Sequence, residues 1–168
     1  MKEFVFHKKP VLVVLSGPPA SGKSTFLEQV KFNPNGVIVS TDQLRKDWLG
    51  DESDQSKNPF IWDRAMGKLD WYLASSNVVV FDATNVKRSG RKQLIKKAKH
   101  WGAAAVCFYF YPELDECKRR NQLRGRHVPD EVIEKMWKGF TRPTELEGWD
   151  LVIACEDYQL GRTWELEK

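Results

Sequence analysis

The sequence has no Cys-x-x-Cys pair, no internal repeat, no low-complexity linker and no sign of a membrane span. Each absence removes a class of protein. Cys107, Cys117 and Cys155 are odd in number and scattered, so neither a disulfide framework nor a zinc site is expected, and a reducing, cytoplasmic setting is the default. The apolar run Val11–Leu15 is far short of the roughly 20 residues that cross a bilayer, so no membrane partner or targeting segment is expected. Acidic residues are missing from one stretch. None lies between Thr84 and Tyr111, where Lys87, Arg88, Arg91, Lys92, Lys96, Lys97 and Lys99 are read as a largely solvent-facing helix surface. The whole chain carries only +4, which permits a polyanionic partner without demonstrating one.

What is present fits one globular domain over residues 1–168, with 155–168 as a C-terminal tail. The runs Val11–Leu15, Val37–Val39, Val78–Phe81, Ala104–Tyr109 and Leu151–Ala154 are short, rich in β-branched residues and mostly free of polar alternation. That pattern belongs to parallel strands covered on both faces. Helical spacing recurs between them: after the first strand at Phe26, Leu27 and Val30, over Phe60–Leu73, through Leu94, Ile95, Ala98 and Trp101, and from Pro129 onward. In the last helix Val132, Ile133, Met136, Trp137 and Phe140 are expected on one core-facing side. The fold expected is α/β, a five-stranded parallel sheet between layers of helices. Trp149 and Trp164 near the tail are candidates to cover an interface.

Gly17-Pro18-Pro19-Ala20-Ser21-Gly22-Lys23-Ser24 follows the first strand and opens a helix, which is the context a phosphate-binding loop requires. Gly17 and Gly22 let backbone N–H groups approach phosphate oxygens, Lys23 places a full charge on the β- and γ-phosphates, and Ser24 is the magnesium ligand. Thr25 lies at the helix start on the edge of this nucleotide site. Asp82, at the carboxyl end of the third strand, is a Walker-B-like second metal candidate by that position, with an ordinary turn or cap residue as the alternative. Thr84 and Asn85 just beyond it are candidate acceptor-site residues.

An acceptor side and a lid complete the set. Asp42 and Arg45 are one helical turn apart, suited to a general base and an anion grip, or else to a helix cap and a local ion pair. Arg120 and Arg124 share a helix face before the break at Gly125, with Arg126 just beyond, as residues that close over a transferring phosphoryl group. The stretch Arg120–Asn121 and the loop after Ala154 are the regions considered for the donor base.

The segments GPPASGKST, STDQLRKDWLGDESDQS, VVVFDATN and RRNQLRGRHVPDEVI, in this order, resemble the kinase domain of bacterial and phage polynucleotide 5′-kinases. The likeness runs from about Val11 to Asp150 and is strongest to the kinase module of bacterial RNA end-healing enzymes. It implies a three-layer P-loop kinase fold with an arginine-bearing lid, ATP or another NTP with Mg2+ as cofactors, and a 5′-hydroxyl end of RNA or DNA as partner. It further implies Lys23 and Ser24 on ATP and magnesium, Asp42 as general base, Arg45 on a 3′-phosphate, and Arg120, Arg124 and Arg126 as lid arginines, the spacing of Arg126 departing slightly from the bacterial pattern. Two other readings share the loop: a kinase of a small hydroxylated metabolite or nucleoside, and an NTP-binding regulatory ATPase module.

Overall fold

The computed structural model describes residues 2–6, 10–33, 36–75, 78–125, 127–155 and 164–166. Along the chain the elements are β1 (Lys2–Phe6), β2 (Val11–Ser16), α1 (Lys23–Gln29), β3 (Val30–Asn33), β4 (Val37–Ser40), α2 (Thr41–Leu49), α3 (Asn58–Ala74), β5 (Val78–Asp82), α4 (Arg88–His100), β6 (Ala104–Tyr109), α5 (Leu114–Gln122), α6 (Asp130–Lys138), a 3-10 turn (Glu145–Glu147), β7 (Leu151–Ala154) and β8 (Trp164–Leu166). The five expected strands form one parallel sheet in the order β4-β5-β2-β6-β7.

Alternation along β2 explains why its run is wholly apolar. Leu12 and Val14 point into a core with Leu44, the α3 residues Ile61, Ala65, Leu69 and Leu73, and the α4 residues Leu94, Ile95 and Ala98. Val11, Val13 and Leu15 point the other way, into a second core with Phe26, Phe108 and Phe110. Neither face meets water, so neither tolerates polar residues. The second face holds a feature absent from the sequence reading: β3, β1 and β8 make a separate three-stranded parallel sheet. Phe4 of β1 packs on Phe26, Phe32 and Phe108 with ring centroids 5.0 to 6.1 Å apart, closing the core beneath α1.

Chain order shows where a ligand belongs. From β2 the chain passes outward to β4, returns to β5 beside β2, and then crosses to β6 on β2's other side. The crevice at the carboxyl end of β2 is therefore a topological switch point. Three expectations change. Trp149 is a core residue, not an interface cover. Of the α6 stripe, Ile133 is fully buried, whereas Val132 and Met136 look into the crevice. Helix α6 also starts one residue late, because Pro129 is extended (ψ 138°) and acts as its N-cap, with Asp130 and Glu131 in the first turn. Among the described residues no helix is long and apolar enough to cross a membrane.

Candidate active site

The loop after β2 owes its shape to two glycines with different physical duties. A Cβ on Gly17 would lie 2.4 Å from the Phe110 carbonyl oxygen and 2.7 Å from Ser21 Oγ, so no larger residue fits. Gly22, the N-cap of α1, sits at φ 107°, a region L side chains avoid. Between them Ala20 also takes a left-handed conformation, φ 60°. Lys23 is only 9% exposed, and its amine donates to the carbonyls of Gly17 and Pro18 at 2.9 Å and to Ser21 Oγ at 3.4 Å. Burial pulls its pKa down to about 8, with Arg124 adding to the fall and Asp82 and Asp42 opposing it. Ser24 and Thr25 are exposed on the first turn of α1, and Ser24 lines the crevice.

Strand register puts Asp82 at the centre. It is the cross-strand partner of Leu15 on one side and of Ser40 on the other, so it stands between the phosphate loop and the start of α2. Burial raises its carboxyl above the ordinary value; the Lys23 ammonium and a Ser40 hydrogen bond pull it back, and Asp42 pushes it further up. Lys23 and Asp82 thus moderate each other's desolvation, as a buried charge requires.

Behind this lies a frame that sequence reasoning missed. Gly17 N–H donates to the Thr84 carbonyl at 2.8 Å, Asn85 Nδ2 donates to the Leu15 carbonyl at 2.7 Å, and Ser16 Oγ donates to the Asn85 carbonyl at 2.9 Å. Asn85, at φ 45°, turns its amide inward, and this strained segment is held by Arg91. Arg91 Nη1 donates to the carbonyls of Asn85 and Val86 at 3.0 and 3.1 Å, while Nε and Nη2 grip Glu147 bidentately at 2.9 and 2.6 Å. Both side chains of that pair are almost fully buried. Arg91 therefore belongs to the interior, not to the solvent-facing basic surface. No local signal exposes this pair, because its members are 56 residues apart.

At the start of α2, Ser40 rather than Asp42 caps the helix, its Oγ accepting from Gln43 N–H at 3.4 Å. Arg45 Nη1 meets Asp42 Oδ1 at 2.7 Å and Nη2 meets Asn58 Oδ1 at 2.8 Å. Arg45 is nearly buried, whereas the Asp42 carboxylate is half exposed, so the arginine orients a carboxylate that still faces the crevice.

The arginine cluster is built on α5. Glu116 accepts from both Arg119 and Arg120, which holds its carboxyl near pKa 2, and Arg120 Nη1 reaches the Ser21 carbonyl of the phosphate loop at 3.3 Å. Arg124 lines the crevice, and Arg126 lies outside the described residues. Asn121 is buried, its amide paired with both backbone groups of Val128 at 2.8 and 3.0 Å, so it ties off the arginine loop instead of facing a base.

Lys23, Ser24, Asp42, Arg45, Asp82, Thr84, Asn85 and Arg124 thus line one cleft of about 1080 Å³. That volume accommodates a nucleotide and part of an acceptor. Among the described residues no three His, Cys, Asp or Glu side chains gather as a metal cage. One hydroxyl and one or two carboxylates instead suit magnesium, which keeps waters and phosphate oxygens as its other ligands.

The chain matches the AAA domain family over residues 12–143. It is 31% identical to the L-seryl-tRNA(Sec) kinase of Methanococcus maripaludis across 84% of this chain and 56% of that protein. Its fold superposes on a chain of the Pnkp1/Rnl/Hen1 RNA repair complex with a TM-score of 0.64 and 26% identity, covering 79% of this chain and 44% of that one. A gluconokinase from Sinorhizobium meliloti shares the fold at a TM-score of 0.58 and 22% identity, covering 89% and 84%. The architecture is the α/β P-loop kinase fold. The chain spans about half the length of the curated relatives it matches.

Proposed function

The chain belongs to the AAA domain family as a nucleotide-binding, kinase-type P-loop protein, and on that premise we propose that it transfers the γ-phosphoryl group of ATP or another NTP to the 5′-hydroxyl end of RNA or DNA. The observation that carries this reading is the shared cleft, in which the phosphate loop faces a carboxylate–arginine pair, Asp42 and Arg45, across Asp82.

Asp42 accepts the proton of the acceptor hydroxyl as its oxygen forms the new bond to phosphorus and the bond to the β-phosphate oxygen breaks, releasing the nucleoside diphosphate. Arg45 holds the carboxylate in place through one Nη1–H and is itself held at Asn58 through one Nη2–H, which leaves a second N–H on each of these nitrogens for gripping a nucleotide phosphate. Lys23, Arg120 and Arg124 neutralise charge on the migrating group. Ser24 and Asp82 are the residues that would hold magnesium, which when bound offsets the charge of the β- and γ-phosphates. The likeness to a chain of an RNA repair complex supports a place in nucleic-acid end repair.

The 31% identity to an L-seryl-tRNA(Sec) kinase favours a second reading, in which the hydroxyl belongs to a seryl group carried on RNA. A labelled-ATP acceptor screen separates them. It compares a 5′-hydroxyl oligonucleotide with and without a 3′-phosphate, its bare 5′ nucleoside, and seryl-tRNA. The proposal expects label on the oligonucleotide and little on the bare nucleoside. Label confined to the seryl group selects the second reading, and equal use of the bare nucleoside contradicts both.

A further inference from the structure

Outside the cleft, α3 carries a surface that the core does not need. Its inward face is Ile61, Ala65, Leu69 and Leu73, whereas Arg64, Gly67 and Trp71 recur every three or four residues on the outward side, continuing from Phe60, which is half-buried against the core. They form one stripe about 16 Å long. Trp48, on the turn of α2 after Arg45, sets its ring edge-on to Phe60 at 5.6 Å. The Arg64 guanidinium lies over both rings, 5.3 Å from the Trp48 centroid and 5.1 Å from that of Phe60. Trp48 is 55% and Trp71 73% exposed, and they border a groove of about 450 Å³. Beyond its chain neighbours and the helix's own nearby backbone, nothing lies within 4 Å of where a Gly67 side chain would start, so the middle of the stripe is open main chain.

Isolated exposed apolar residues are ordinary, but two tryptophans on one groove are not. The groove's charges are Arg64, Lys68 and Lys97 against Asp63 and Asp70, and Asp70 is already bonded to Lys97 and to Trp101 Nε1. Flat aromatic faces beside cations are the chemistry that holds unpaired bases and their phosphates.

We infer that this groove is a stacking platform for single-stranded nucleic acid, taking the bases that follow the nucleotide whose 5′-hydroxyl lies in the cleft. The inference rests on the polynucleotide reading above. Continuity supports it: Arg45, on the cleft wall, is bonded to Asn58, the first residue of α3, two positions before Phe60. A strand leaving the cleft past Arg45 therefore meets Phe60 and Trp48 next. The neighbouring acidic loop is turned on itself, Asp51 accepting from Ser53 and Asp54 from Ser56, which fixes these carboxylates in the loop's own turns.

The test uses Trp48→Ala and Trp71→Ala, with Trp71→Phe as the ring-retaining control. Phosphorylation of a 5′-hydroxyl dinucleotide and of an eight-nucleotide single strand is measured, together with anisotropy of a labelled, 5′-phosphorylated eight-nucleotide strand that needs no turnover. Each alanine variant is expected to raise KM for the long acceptor and weaken strand binding roughly 5- to 100-fold. The dinucleotide KM and ATP affinity should stay unchanged, and the phenylalanine variant should keep most of the binding. Equal effects on both lengths, or none on the long strand, overturn the platform. Tryptophan-dependent strand binding with no phosphorylation of either acceptor keeps the platform and removes the kinase reading. Wild-type protein that neither binds nor phosphorylates the strand removes both.

Discussion

The two ends of the cleft are made of different materials. The donor end is main chain: the loop's turns follow from Gly17 and Gly22, its lysine is buried on carbonyl oxygens, and its first residues are laced to Thr84 and Asn85. The acceptor end is side chain: Asp42, half exposed, is oriented by one arginine that is itself held by Asn58. A main-chain site tolerates few residue types, because backbone geometry and close approach admit no substitute, and it therefore reads as a motif. A side-chain site depends on what a helix happens to face. The two ends should consequently fail in different ways.

The largest effect is expected from Lys23→Met, which removes the ammonium buried against the loop carbonyls, the proposed phosphate contact. Transfer should fall at least about a thousandfold, and ATP affinity should fall with it. Measured by single-turnover transfer and nucleotide titration, a loss of transfer with unchanged ATP affinity would erase the contrast between the two ends.

Arg91→Met comes next and probes the frame behind the donor end. It leaves the Glu147 carboxylate buried without its bidentate partner and releases the Asn85 and Val86 carbonyls. Breaking such a pair costs about 3–5 kcal/mol, a drop in melting temperature of about 10 °C for a domain of this size. The double variant Arg91→Met with Glu147→Met should recover part of that loss in thermal unfolding. A double variant no more stable than Arg91→Met alone would show that the carbonyl contacts, not the ion pair, carry the stability.

The same division explains what the sequence discloses. The central strands β2, β5 and β6 stand out because they are covered on both faces, the edge strands β4 and β7, only partly buried, stand out as short β-branched runs, and Asp82 stands out because it ends β5. The smaller sheet is silent for a physical reason. β3 follows α1 without a break at Val30, and β1 and β8 are short strands distant in sequence from each other. Arg91 carries no local mark that separates it from its solvated neighbours, since its partner comes from beyond α6. Val132 and Met136 share the period of core residues, and only the fold shows that their side of α6 borders the cleft.

The central claim is that Asp42 works on the acceptor and not on the nucleotide, and Asp42→Asn tests it most directly. Its ATP affinity by calorimetry and its transfer rate to a 5′-hydroxyl oligonucleotide should be measured on the same preparation. ATP affinity within about twofold of wild type, with transfer reduced about a hundred- to ten-thousandfold, is the expected result. Transfer retained at the wild-type rate would contradict the assignment of Asp42 as the base.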